Sequence, residues 1–190
     1  MEREQSPVQR LAAWLETLEK FDLPDWDSLP QLDLYMDQVI LLLNRYLSPI
    51  GGEEKVVTAS IINNYVRMRV MPPPVKKRYA RVHLAYLIII CTLKQSLSIS
   101  CIQRMLPPGY GEEVARVLYT DFVRQYRASV AFLREISISG GELRLGSMEN
   151  LSVGGESSLV TTSAILSTLS KALTEFLLQE DAAEEDPDDD

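Results

Sequence analysis

The sequence predicts a mainly α-helical chain, and three observations carry that reading. Apolar residues recur at spacings of three and four in long segments from one end of the chain to the other. Helix punctuation stands at the segment ends: Ser6–Pro7, Thr58 and Ser98 as starts, Pro72 to Pro74 and Pro107–Pro108 as stops. The chain is 190 residues long, 46% hydrophobic and 24% charged. That is one domain, or one small domain with an extension, able to bury a core without disulfide or metal staples.

The elements follow in order. Ser6 is an N-cap and Pro7 fits a first turn, and Leu11, Trp14, Leu15 and Leu18 continue at helical spacing to about Lys20. Residues 21–30 (FDLPDWDSLP) read as a loop in which Trp26, with Leu23, Leu29 and Leu32, anchors the core over the next helix. Residues 32–47 form a strongly apolar second helix, ended by Pro49 and Gly51–Gly52. Thr58 caps a third, TASIINNYVRMRV, with Ile61, Ile62, Tyr65 and Met68 on one face and Asn63, Asn64 and Arg67 largely off it. Three prolines stop it, because proline removes a backbone donor and disfavours the helical conformation before it. The basic, strand-like segment VKKRYAR (75–81) follows, then a core helix from about Arg81 to Ser96. Ser98 caps a short helix that runs to the next prolines. Residues 112–136 read as a long amphipathic helix with an apolar stripe of Val114, Val117, Leu118, Phe122, Tyr126, Val130 and Leu133. Residues 140–158 read as a loop or weak hairpin, 158–179 as a last amphipathic helix, and 180–190 as a tail disordered by its charge density.

Charge is segregated along this order. The net charge is -8, yet residues 55–111 hold 9 basic and no acidic side chains, while 180–190 hold 8 acidic and no basic ones. Such segregation predicts an anionic partner for the middle segment, and an acidic tail that competes with phosphates for it.

Several classes are excluded or disfavoured. Two cysteines and one histidine leave no disulfide scaffold and no zinc motif. Cys91 and Cys101 read as small hydrophobes in a reducing cytoplasm, and His83 as a residue that caps or packs. The Asp25, Asp27, Asp33 and Asp37 group reads as a solvated face. The apolar run 84–93 is about half a membrane span, and the N-terminus lacks the apolar region of a signal peptide. No acids, bases or nucleophiles converge, so the chain is expected not to be an enzyme, and to have no catalytic residue, cofactor or metal.

The order helix, polar helix, proline stop, basic hairpin, core helix is the layout of a winged helix-turn-helix. Asn matches adenine and Arg matches guanine in the major groove, and a basic hairpin lies along phosphates and fixes register. The candidate DNA-binding residues are Thr58, Ser60, Asn63, Asn64, Arg67 and Arg69 on the helix, and Lys76, Lys77, Arg78, Tyr79 and Arg81 on the wing, with Tyr79 bonding a phosphate or stacking, although Tyr65 and Tyr79 suit core packing equally well.

Residues 58–106 resemble the DNA-binding module of MerR-type transcription regulators. Tyr65 and Pro72 keep the spacing of that module's tyrosine and proline; Lys77, Arg78 and Tyr79 stand at its wing motif, and Leu84, Leu87, Ile90 and Leu93 at the apolar positions of its next helix. Ser98, Ile99 and Ile102 match the helix after that. The sequence departs where the family has Arg–Tyr and this chain has Asn63–Asn64, and where a helix-end glycine is Arg69. The block from Leu23 to Leu106, with LPDWDSLP, LYMDQVI, INNYV, PPPVKKRY and HLAYLIIICTLK, resembles an uncharacterised bacterial domain-of-unknown-function family whose members look like MerR-type proteins.

The expected organisation is residues 1–30 as N-terminal helix and loop, 31–106 as the winged helix-turn-helix, 107–179 as a helical dimerisation or effector part, and 180–190 as the tail. The expected function is a cytoplasmic transcription regulator that binds double-stranded DNA as a homodimer, with the presence of a small-molecule effector left open. The alternative is a helical module of helix-turn-helix ancestry that docks an acidic protein partner.

Overall fold

The computed structural model describes residues 7–20, 22–51, 56–107, 109–135, 137–139, 142–144 and 155–182. These residues form seven α-helices: α1 Pro7–Lys20, α2 Met36–Gly51, α3 Ala59–Arg67, α4 Arg81–Leu93, α5 Ile99–Met105, α6 Glu112–Arg134 and α7 Gly155–Ala182. One antiparallel hairpin, β1 Ser137–Ser139 with β2 Glu142–Arg144, joins α6 to the chain before α7.

Helix α4 explains the arrangement. Every residue from His83 to Leu93 is buried, and a helix apolar on all sides is stable only when surrounded. Helices α2, α6 and α7 pack around it. Leu87, Ile88 and Ile90 are fully buried, and each such side chain contributes about 1.5–3 kcal/mol by leaving water. The apolar stripes of α6 and α7 close on each other and on α4, and α1 lies across both late helices, joined to α7 by Arg10 donating to the Leu177 carbonyl. Inside the α6–α7 seam, Thr162 donates to Gln125 Oε1 at 3.0 Å, so these two buried polar side chains are paired.

The Trp26 loop is a core anchor, as its apolar residues imply. Leu23, Trp26 and Leu29 are buried, Trp26 lies 6.2 Å from the Tyr119 ring, and the Tyr119 hydroxyl donates to the Pro24 carbonyl at 2.7 Å. The Arg127 guanidinium donates to Asp22, Asp25 and the Leu23 carbonyl at 2.7, 2.8 and 2.9 Å. Leu32, expected to join this anchor, is 82% exposed.

Several boundaries differ from the sequence reading, for local reasons. Helix α2 starts at Met36 because Leu34 pairs with Tyr79 through two backbone bonds of 3.0 and 2.9 Å. It continues through Pro49 to Gly51. Proline has no N–H for the Arg45 carbonyl, and the Ser48 hydroxyl donates there instead, at 3.3 Å. On α6, Val114 and Val117 are 39% and 62% exposed. Phe122, Tyr126, Val130 and Leu133 of the expected stripe are buried, and Ala115, Tyr119 and Val123 complete it in place of those two valines. Helix α7 extends to Ala182, so the first residues assigned to the tail are helical. The Ser6 cap, the loop at 145–154 and the tail from 183 lie outside the described residues.

Candidate nucleic-acid interface

Helix α3 is held at both ends. At its start the Thr58 hydroxyl accepts from the Ile61 N–H at 3.3 Å, the cap its residue type predicts. Just before it, the Asn44 amide of α2 accepts from the Val57 N–H at 3.0 Å and donates to the Val57 carbonyl at 2.8 Å. One side chain thus substitutes for a strand partner and sets α3 against α2. At the far end Arg69 N–H donates to the Val66 carbonyl at 3.0 Å and Val70 N–H to the Tyr65 carbonyl at 3.1 Å. That is a Schellman stop, and it needs a left-handed residue. Arg69 fills the position with φ 56, at the site where the sequence reading noted a missing glycine. The Tyr110 hydroxyl donates to the Arg69 carbonyl at 2.6 Å, tying the approach to α6 onto the end of α3.

The inner face of α3 is Ile62 and Tyr65, both buried. Tyr65 meets Cys91 of α4; burial pushes the Cys91 thiol up to about 12, and the tyrosine hydrogen bond opposes this. The outer face is Ser60, Asn63, Asn64 and Arg67, within about 100° of arc at 100° per residue. With Ile61 they line an open depression of about 660 Å³. Asn64 Oδ1 accepts from Arg67 Nη2 at 2.6 Å, so these two side chains are oriented as a unit.

The basic hairpin is a tight turn. Val75 and Arg78 exchange backbone hydrogen bonds of 3.2 and 2.9 Å, and Lys76 and Lys77 between them have φ 49 and 61. Two central residues with positive φ are the mark of a type I′ hairpin, which favours Asn–Gly because other side chains are strained there. Two exposed lysines occupy it instead. The Arg78 guanidinium lies 4.4 Å from the Tyr35 ring centroid and donates to the Tyr35 hydroxyl at 2.7 Å, so its charge is fixed in place. His83 fixes the base of the hairpin: its Nδ1 accepts from the Ala80 N–H at 2.9 Å, and its Nε2 faces the Pro73 carbonyl at 3.1 Å. That pattern requires the tautomer protonated at Nε2. The histidine caps α4, as expected of it.

The sequence-derived site residues therefore divide. Ser60, Asn63, Arg67, Arg69, Lys76, Lys77 and Arg78 are exposed, and Asn64 is half-buried. Thr58 spends its hydroxyl on the cap. Tyr79 requires correction: it is 2% exposed, packed edge-on against His83 at 5.6 Å, with its backbone paired to Leu34, so its ring offers nothing to a ligand. Arg81 is also turned inward. It donates to the Leu29 carbonyl at 3.3 Å, sits 3.8 Å from Asp27 and lies 5.5 Å from the Trp26 ring. Asn44, Tyr35 and Tyr110 were not singled out from sequence. A lone Asn inside an apolar helix was a signal for the first; the other two are defined only by tertiary contacts.

Fold and site together define a helical chain presenting a polar helix face and a strained basic turn, on a stretch without acidic residues. Residues 24–122 match the family described as a domain of unknown function (DUF1836), and the chain belongs to that family. No curated protein and no solved structure matches it. Among the described residues no helix is long and apolar enough to cross a membrane.

Proposed function

We propose that this chain is a duplex-DNA-binding transcription regulator of winged helix-turn-helix type, with α2 and α3 as the helix pair, α3 in the major groove, and the 75–78 turn as a wing on the phosphate backbone. The observation that carries the reading is the turn itself. Lys76 and Lys77 occupy the two positions where a type I′ hairpin most disfavours them. Strained backbone at an exposed, charged tip is a recurrent sign of function. The polar stripe of α3 supports it, since Asn63 and Arg67 are side chains suited to adenine and guanine edges. The MerR-like resemblance in sequence gains support from the left-handed residue at Arg69 and from the strand-like pairing of Leu34 with the hairpin. Regulators of this kind read two half-sites about 34 Å apart as symmetric dimers, which is the assembly the reading requires.

The test is selection of random duplexes by the full chain beside a Lys76→Glu/Lys77→Glu/Arg78→Glu variant. The proposal expects an enriched pseudo-palindrome that the variant loses. Absence of enrichment by a folded protein would overturn it and favour an acidic protein partner for the same face.

A further inference from the structure

Between the end of α1 and the middle of α6 lies a cavity of about 240 Å³, lined by Leu18, Asp22, Tyr126, Arg127 and Val130. A cavity of about 150 Å³ takes one benzene ring, so this one has room for a ring with a short arm. Leu18 and Val130 give it apolar, buried walls. Tyr126 and Asp22 bring polar groups that the fold leaves unused. Tyr126 is 3% exposed, yet its hydroxyl makes no hydrogen bond among the described residues. Tyr86 and Tyr119, equally buried, donate to the Gly109 and Pro24 carbonyls, as a buried hydroxyl ordinarily must. Burial, and after it the Asp22 carboxylate, raise the Tyr126 phenol above its ordinary value. The hydroxyl therefore keeps its proton, close enough to Asp22 to feel its charge without bonding to it. Asp22 gives Oδ2 to Arg127, and its Oδ1 accepts nothing among the described residues. Arg127 is already held by Asp22, Asp25 and the Leu23 carbonyl, one at each nitrogen. Two carboxylates against one guanidinium leave this group with a net single negative charge.

We propose that the cavity binds a small organic primary ammonium with an apolar body, such as a ring on a short arm. The ammonium donates to Asp22 Oδ1 and to the Tyr126 oxygen, which satisfies both unused groups and cancels the excess charge. The body lies on Leu18 and Val130. A carboxylate in the same place meets Asp22 as a like charge, and a neutral alcohol forms the hydrogen bonds without the charge that strengthens them. The bound molecule ties α1 and the start of the Trp26 loop to α6. The inference stands on this cavity alone and does not depend on DNA binding.

The test titrates the full-length chain at neutral pH with phenethylamine, followed by amide NMR spectra and by melting. Phenethyl alcohol and hydrocinnamate, with the same ring and an uncharged or anionic arm, are titrated beside it. The amine shifts the amide signals of Leu18, Asp22, Tyr126 and Val130 saturably, with a dissociation constant of about 1 mM, as befits a fragment. At ten times that concentration it raises the melting temperature by about 3–6 °C. The alcohol and the carboxylate bind at least about tenfold more weakly. Tyr126→Phe has no hydrogen bond to lose, so it melts at least as high as the natural chain, and it weakens the amine about tenfold. Val130→Phe fills the cavity and abolishes binding. Absence of a saturable shift with the amine, equal binding of the alcohol or the carboxylate, a lower-melting Tyr126→Phe chain, or an affinity that either folded variant leaves unchanged would each overturn the inference.

Discussion

Replacing Lys76–Lys77 by Asn–Gly separates what the hairpin needs from what the surface presents. Both lysines are exposed and both have positive φ, so the substitution removes no packing. A non-glycine residue in left-handed conformation costs about 1–2 kcal/mol, and the Lys76→Asn/Lys77→Gly change relieves most of that at two positions. The greater freedom of glycine in the unfolded chain returns about 0.5–1 kcal/mol. The net expectation is a variant more stable by about 1–3 kcal/mol, melting about 2–4 °C higher for each kcal/mol. The same variant has two fewer cations per chain, so its duplex affinity should fall and its salt slope flatten by about 1.8. Thermal melting and salt-dependent binding on the same samples read both effects. A variant that melts lower, or binds duplex as tightly as the natural chain, would refute the argument that strain is retained there for charge.

Three further outcomes follow from the packing around the site. His83→Ala leaves the Ala80 N–H and Pro73 carbonyl unpaired and removes a ring that is 5% exposed. It should cost about 3–5 kcal/mol, whereas His83→Asn, which keeps an acceptor near Nδ1, should cost clearly less; equal melting of the two would contradict the capping role. Asn44→Ala unpairs both backbone groups of Val57 and should cost about 2–3 kcal/mol, with amide exchange at Val57 accelerated before exchange in α4. Alkaline unfolding should be steep. Burial raises Cys91, Tyr65, Tyr119 and Tyr126 above their ordinary values of 9.0 and 10.0. The unfolded chain therefore loses these protons first, and stability falls as pH rises through the ordinary thiol and phenol range. Tyrosinate absorbance should rise together with loss of helical circular dichroism; a rise well below the unfolding transition at these residues would count against it.

Much of the fold was legible in the sequence because its signals are local. Thr58 and Ser98 cap helices wherever they stand before an apolar repeat, the prolines stop them, and a run such as LAYLIIICTL has no choice but the centre. The phase of α6 was legible from Phe122 onward, where Phe122, Tyr126, Val130 and Leu133 are buried as their spacing implies, but not at its start. Ala115 and Val123 could be buried as well as Val114 and Val117, and which set faces α4 is decided by the fit of Tyr119 over Trp26. The start of α2 was hidden by the pairing of Leu34 with a residue 45 positions on. At the site, residue type identified the exposed cations of α3 and the turn, but it could not tell Arg78, held outward on Tyr35, from Arg81, drawn inward by Asp27 and Trp26. Nor could it decide between core packing and a phosphate contact for Tyr79, since its burial depends on His83 and Leu34 together.

Salt titration of duplex binding in excess competitor DNA, with the natural chain beside Lys76→Glu/Lys77→Glu, tests the central claim most directly. Arg67, Arg69, Lys76, Lys77 and Arg78 offer five cations per chain, so the account predicts a slope of about -4.5 in log K against log salt for each bound chain, flattened by about 2 in the variant. Absence of duplex binding by the folded protein at low salt, or a slope the variant leaves unchanged, would contradict it.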